Sequence, residues 1–137
     1  MTDASQPAPI SNGALWAGRT LSAVVVLFML FDGGIKLVPL DVVTESSTQL
    51  GLPATANFAR GLGLLGLVCT ALYVFPRTAV LGAILLTAYM GGTVATHLRA
   101  DSPVFSTMLF GVYLAVMAWG GIYLRDNRVR ALIPFSR

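Results

Sequence analysis

Hydrophobic and polar positions in this chain fall into long separate blocks. Four runs of predominantly apolar residues follow one another: Leu15 to Lys36, Ala56 to Phe75, Thr78 to Leu98 and Val104 to Leu124. Each has roughly the 20 residues that a membrane-crossing helix requires. None shows a strong 3.6-residue alternation, as expected of helices whose outer faces meet lipid.

Residues that stop helices separate the runs. Pro76 has no backbone N–H to donate, and the charge of Arg77 favours the membrane surface. The segment RADSP, Arg99 to Pro103, closes the third run. Asp101 or Ser102 is expected to cap the fourth helix, with Pro103 near its first turn. LRDNRVR, Leu124 to Arg130, ends the fourth run. Trp16, Tyr73, Trp119 and Tyr123 lie near predicted helix ends, where amphipathic rings favour the interface. The one long connection, Val38 to Thr55, reads as a short helix at the membrane surface or folded over the bundle. Asp41 is its expected N-cap and Gly51 its C′ glycine, with Pro53 just beyond.

The expected fold is all-α, a four-transmembrane-helix bundle with a short helix in the first extracytoplasmic loop. It spans residues 14–125, between a flexible cytoplasmic N-terminus (1–13) and a basic cytoplasmic tail (126–137). The first run reads as a retained helix: FDGGIK, which follows it, is not a small-x-small cleavage site. Small residues predict close helix packing, at Ala88/Gly92, Gly91/Ala95 and Gly111/Ala115 and in the Gly61, Gly63, Gly66 cluster.

Composition strengthens this reading. Of 137 residues, 55% are hydrophobic and 11% charged. Soluble domains carry about 25% charged residues, so the solvent for this surface is lipid. The net charge of +3 is too small and dispersed for a nucleic-acid footprint. The single cysteine, Cys69, excludes an intrachain disulfide and reads as a small buried apolar residue. With one histidine and one cysteine, no haem or metal site is expected. No dinucleotide fingerprint, P-loop or HExxH motif is present.

Charge sets the expected orientation. Arg19, Arg77, Arg125, Arg128, Arg130 and Arg137 share one side; Lys36, Arg60 and Arg99 share the other. The positive-inside rule places both termini in the cytoplasm of a bacterial-type inner membrane.

The candidate chemistry lies at the opposite end. Asp32 and Lys36 form an i,i+4 pair on the first helix. Asp41 and Glu45 lie in the loop, and Arg60 in the first turns of the second helix. The third helix brings Thr93, Thr96, His97 and Arg99. Ionisable groups within a membrane are costly and face a bundle interior or a watery cavity. His97 and Asp32 are the candidate catalytic pair, since a histidine near a carboxylate exchanges protons near neutral pH. Lys36, Glu45, Arg60, Tyr89, Met90, Thr93 and Arg99 are the candidate ligand-binding residues. The plainer reading has Lys36 and Arg99 reaching out to headgroups.

With these residues in view, the chain resembles the DoxX-like family of small four-helix membrane proteins, from about Ala17 to Pro134. The resemblance is carried by LFDGGIKL, TQLGLP, WGGIYLRDNRVRALIP and above all YVFPRTAVLGAILLTAYMGGTVATHLR, Tyr73 to Arg99. It departs at Gly66, where the resemblance leads one to expect an acidic residue. The resemblance implies association with membrane redox or stress-linked complexes, including thiosulfate:quinone oxidoreductase, and in a distant branch receptor-assembly chaperones. The function expected first is binding of a lipophilic small molecule, a quinone or lipid, as a redox accessory. Its partners are then the bilayer, the small molecule, and a second copy or a membrane redox protein. The alternatives are acid–base catalysis on a hydrophobic substrate and an assembly subunit without chemistry. Transport ranks low, with no inverted repeat and no charged ladder across the membrane.

Overall fold

A computed structural model describes residues 8–38 and 40–133. Arg137 and the remainder of the tail beyond 133, with residues 1–7, lie outside the described residues. Among the described residues the chain is entirely helical: α1 (Asn12–Leu37), α2 (Asp41–Gln49), α3 (Ala56–Val74), α4 (Ala79–Arg99), a π-helical turn (Val104–Met108), α5 (Phe110–Arg125) and α6 (Asn127–Leu132). Four segments are long and apolar enough to cross a membrane: α1, α3, α4, and Val104–Arg125. Neighbours in sequence pack side by side, and α5 closes the ring against α1. Successive spans that each cross the bundle run antiparallel, the first two joined through the segment that carries α2. The C-termini of α1 and α4 and the N-termini of α3 and α5 thus meet at one end, covered by α2.

Two of the spanning helices, α1 and α3, begin where a side chain supplies a cap. Ser11 Oγ accepts from the Ala14 N–H at 3.2 Å, so α1 starts before the apolar run does. Thr55 Oγ1 does the same for Phe58 N–H at 3.3 Å. Two expectations are corrected. Asp41 is the first residue of α2, whose N-cap Leu40 offers no side-chain bond. Neither Asp101 nor Ser102 caps the fourth span. Instead they terminate α4: the Ser102 N–H donates to His97 O at 3.0 Å and the Asp101 N–H to Leu98 O at 3.2 Å. This is the Schellman arrangement, with Asp101 in the left-handed region at φ 53°. Pro103 stands at the start of the fourth span as expected, and the span opens with a π-helical turn, in which Met108 N–H donates to Pro103 O and Leu109 N–H to Val104 O. The expected glycine end of α2 is present: Gly51 sits at φ 65°, and Leu52 N–H donates to Ser47 O at 2.8 Å.

Each spanning helix buries one narrow stripe at three- and four-residue steps. On α1 it is Gly18, Ser22, Val25, Met29 and Gly33; on α4 it is Ala79, Gly82, Ala83, Leu86 and Met90. The small members let backbones touch. A Cβ on Gly18 would lie 2.7 Å from Gly121 O, and one on Gly63 2.8 Å from Gly33 O. Gly111 meets α4 at Met90 O as its spacing implies. Gly61, Gly91 and Gly92 do not follow the packing expectation, since a Cβ on any of them would meet nothing within 4 Å. Close packing of α4 falls instead on Gly82, which faces the backbone of Tyr73.

Tyr73 is also not an interfacial ring. It is fully buried, donates to Ala118 O at 2.7 Å, and accepts from Ser22 Oγ at 2.8 Å. One phenol thereby ties α1, α3 and α5 together. Low dielectric around such bonds makes each partner expensive to leave unpaired.

At the same end α6 folds back onto α5. Asp126 ends α5 and caps α6, accepting from the Arg128 N–H at 2.9 Å. Arg130 returns to the last carbonyls of α5, Tyr123 O at 2.7 Å and Leu124 O at 3.1 Å. The Arg128 side chain beside Asp126 holds its carboxyl below the usual range. A depressed carboxylate contributes stability above its unfolded pKa and loses it as pH falls through the folded one. Stability in detergent is therefore expected to decline on the acid side of the ordinary carboxylate range, and Asp126→Asn to remove part of that decline. The effect is small, because Arg128 is exposed. Thermal unfolding across acid pH checks it; an unchanged acid slope in the variant contradicts it.

Candidate functional site

The bundle is tight at the α6 end and open at the α2 end. Beyond Met90, α4 buries no residue, and its last turns line an open space. The space left holds a cavity of about 860 Å³. Its walls are mainly apolar, with Phe28, Leu62, Leu65, Leu85 and Leu114 among them. Phe28 and Phe110 meet edge to face across the α1–α5 seam, with ring centroids 4.8 Å apart. The inner side of α2 forms the roof through Val42, Val43, Ser46, Ser47 and Leu50. α2 has no buried residue of its own.

The structure brings Asp32, Lys36, Tyr89, Met90, Thr93 and His97 into the lining of this one cavity. Lys36 does not reach outward to headgroups. Its ammonium turns inward and pairs with the Asp32 carboxylate one turn deeper, and both side chains are about three-quarters shielded. A lysine near a helix end takes this inward course when an acid one turn away offers a better partner than lipid headgroups. Lys36 Nζ also lies 3.4 Å from Tyr89 Oη. The phenol proton has Leu62 O at 3.5 Å, long for an O–H···O bond, and is available to an incoming acceptor. Beneath the Tyr89 ring is Gly66. A Cβ there would lie 3.3 Å from Met29 Cε and 3.4 Å from Tyr89 Cζ. The place where an acidic residue was expected is thus occupied by the tyrosine ring, and the carboxylate in the cavity is that of Asp32.

On the α4 wall, Ser102 is turned back by the left-handed Asp101, and its Oγ lies 3.0 Å from His97 Nδ1. His97 lines the cavity with Nδ1 engaged in this way. Thr93 and Thr96 bond their own helix, to Tyr89 O at 3.2 Å and Gly92 O at 2.8 Å, and present methyl groups and free lone pairs. Cys69 is buried at the cavity floor, as its apolar surroundings in sequence imply.

Three sequence candidates lie elsewhere. Glu45 is exposed on α2 and does not line the cavity. Arg60 Nε donates to Leu37 O at 3.3 Å, and Arg99 donates to Leu50 O beside Gly51. The two arginines fasten the ends of the segment that carries α2. Sequence reasoning missed this fastening, because its acceptors are backbone carbonyls that no residue type announces. It also missed Ser102; the adjacent Asp101, a residue type that tolerates left-handed backbone, was the available signal.

An all-helical membrane protein with four spans, and with a mainly apolar cavity between them that carries a few polar groups at one end, is the class these observations define. The model of the DoxX-like family matches residues 20–121, and the chain belongs to that family. No curated protein and no solved structure matched the chain.

Proposed function

We propose that this membrane protein binds a lipophilic small molecule, a quinone or quinone-like lipid, in the cavity beneath α2, as an accessory of a membrane redox system. One observation carries the reading. The cavity has the size and apolar character of a small-molecule site, and hydrogen-bond donors, Lys36 Nζ and Tyr89 Oη, converge on one wall. A quinone carbonyl is an acceptor suited to those donors, and an isoprenoid chain suits the leucine and phenylalanine walls. His97, which also lines the cavity, offers a second polar contact. The arginine distribution supports a cytoplasmic α6 end and an extracytoplasmic cavity mouth in a bacterial-type inner membrane.

The test is mass spectrometry of small molecules that copurify with wild type, His97→Ala and a Lys36→Met/Tyr89→Phe double variant. Wild type is expected to carry a quinone at near-stoichiometric level, His97→Ala less, and the double variant almost none. Folded but empty wild type sinks the proposal and turns the search to protein partners. A second reading, acid–base chemistry on the bound molecule, is favoured by the phenol beside an ammonium in a sheltered site. It requires product to accumulate when substrate is added, and a ligand always recovered unchanged counts against it.

A further inference from the structure

The charges at this end of the bundle are disposed so that the cavity carries no net charge. Asp32 and Lys36 line it and neutralise one another. The other cations there, Arg60 and Arg99, donate away from it to Leu37 O and Leu50 O. The loop acids Asp41 and Glu45 are exposed and do not line it. A headgroup entering the cavity meets a dipole and donors, with no free counter-charge. An anionic head would give up its hydration and then compete with Asp32 for Lys36. A cationic head would compete with Lys36 for Asp32. Either way one charge is left unpaired in an apolar enclosure, which is the costly arrangement. An uncharged head that accepts hydrogen bonds avoids this. Lys36 has three N–H donors, of which Asp32 and Tyr89 engage two, and the Tyr89 hydroxyl supplies a further one.

We infer that the Asp32–Lys36 pair is a specificity device that makes this cavity accept amphiphiles with uncharged, hydrogen-bonding headgroups and refuse charged ones of the same chain length. The inference rests on the reading of the cavity as a ligand site, and the experiment separates the two. Full-length protein in phosphatidylcholine nanodiscs is loaded with labelled hexadecanol. Unlabelled hexadecanol, hexadecyl sulfate and hexadecylamine then compete. Nanodiscs carrying Gly92→Phe, a residue on the cavity wall with nothing within 4 Å of its Cβ, supply the background of nonspecific partition.

In wild type, hexadecanol is expected to compete at least about tenfold better than either charged amphiphile. Asp32→Asn leaves Lys36 unpaired, and hexadecyl sulfate should gain about tenfold; Lys36→Met leaves Asp32 unpaired, and hexadecylamine should gain by a similar factor. The double variant Asp32→Asn/Lys36→Met is again neutral and should restore the wild-type order. It also keeps the test informative if a lone charge impairs folding. A wild type that prefers a charged amphiphile overturns the inference, as do single variants with unchanged order. No labelled hexadecanol above the Gly92→Phe background overturns both the inference and the ligand-site reading beneath it.

Discussion

Gly82→Ala is expected to destabilise the bundle by about 3 kcal/mol, at the upper end of what overpacking costs. A methyl at Gly82 would fall on the backbone N and Cα of Tyr73 and 2.6 Å from the carbonyl carbon of Leu72. Main chain cannot rotate out of the way as a side-chain tip does, so α3 and α4 must separate. The damage does not stop at their seam. Tyr73 carries the hydrogen bonds to Ser22 and Ala118, and any displacement of its backbone strains the contact of α3 with α1 and α5. The Thr78 hydroxyl, which donates to Leu72 O at 2.7 Å, belongs to the same corner. Reversible unfolding of the purified protein in mixed detergent micelles measures the loss. Gly61→Ala is the matched control. It places the same methyl in open space, and helix propensity alone favours alanine there. Equal stability of the two variants would mean that α3 and α4 do not approach as described.

These glycines also mark how far the sequence could be read. The spans were legible because a run of some 20 apolar residues is a property of composition and length, and neither depends on tertiary contacts. The polar end was legible because ionisable residues are rare in such runs and their positions stand out. Which of them share a cavity was not legible. Asp32 and Lys36 announce their pairing by an i,i+4 spacing, but Arg60 and Arg99 are drawn away by carbonyls whose positions depend on the path of the α2 segment. Tyr73 was misread because nearness to a helix end predicts an interfacial ring only if that face of the helix looks outward. The Gly91–Gly92 pair was misread for the same reason. Spacing identifies two small residues, but only the packed bundle shows that both face empty space and that Gly82 bears the helix contact.

That empty space makes the two neighbouring glycines the sharpest probe of function. Gly92→Phe is expected to abolish binding of the lipophilic ligand, by a hundredfold or more (about 2.7 kcal/mol), while leaving the fold intact. Gly91→Phe is expected to leave binding within about threefold of wild type, under 1 kcal/mol. The two residues are adjacent on α4, about 100° apart around its axis. Gly92 lines the cavity beneath α2, whereas Gly91 lines a second, almost wholly apolar groove of about 810 Å³ between α4 and α5, with Met90 and Gly111 common to the two linings. Neither Cβ meets an atom within 4 Å, so both variants add the same ring to the same helix without steric conflict at the point of attachment. Helical side chains lean toward the N-terminus of their own helix. From position 92 the ring therefore leans toward Ala88 and the Tyr89 level, where a ligand head would lie. From position 91 it leans toward Thr87, whose hydroxyl is already engaged by Trp119 Nε1 at 2.8 Å. Binding is measured by competition in nanodiscs and folding by the unfolding assay. Loss of binding in Gly92→Phe alone places the ligand under α2. Loss in Gly91→Phe alone moves the site to the outer groove, and Lys36, Tyr89 and His97 then have no part in holding it.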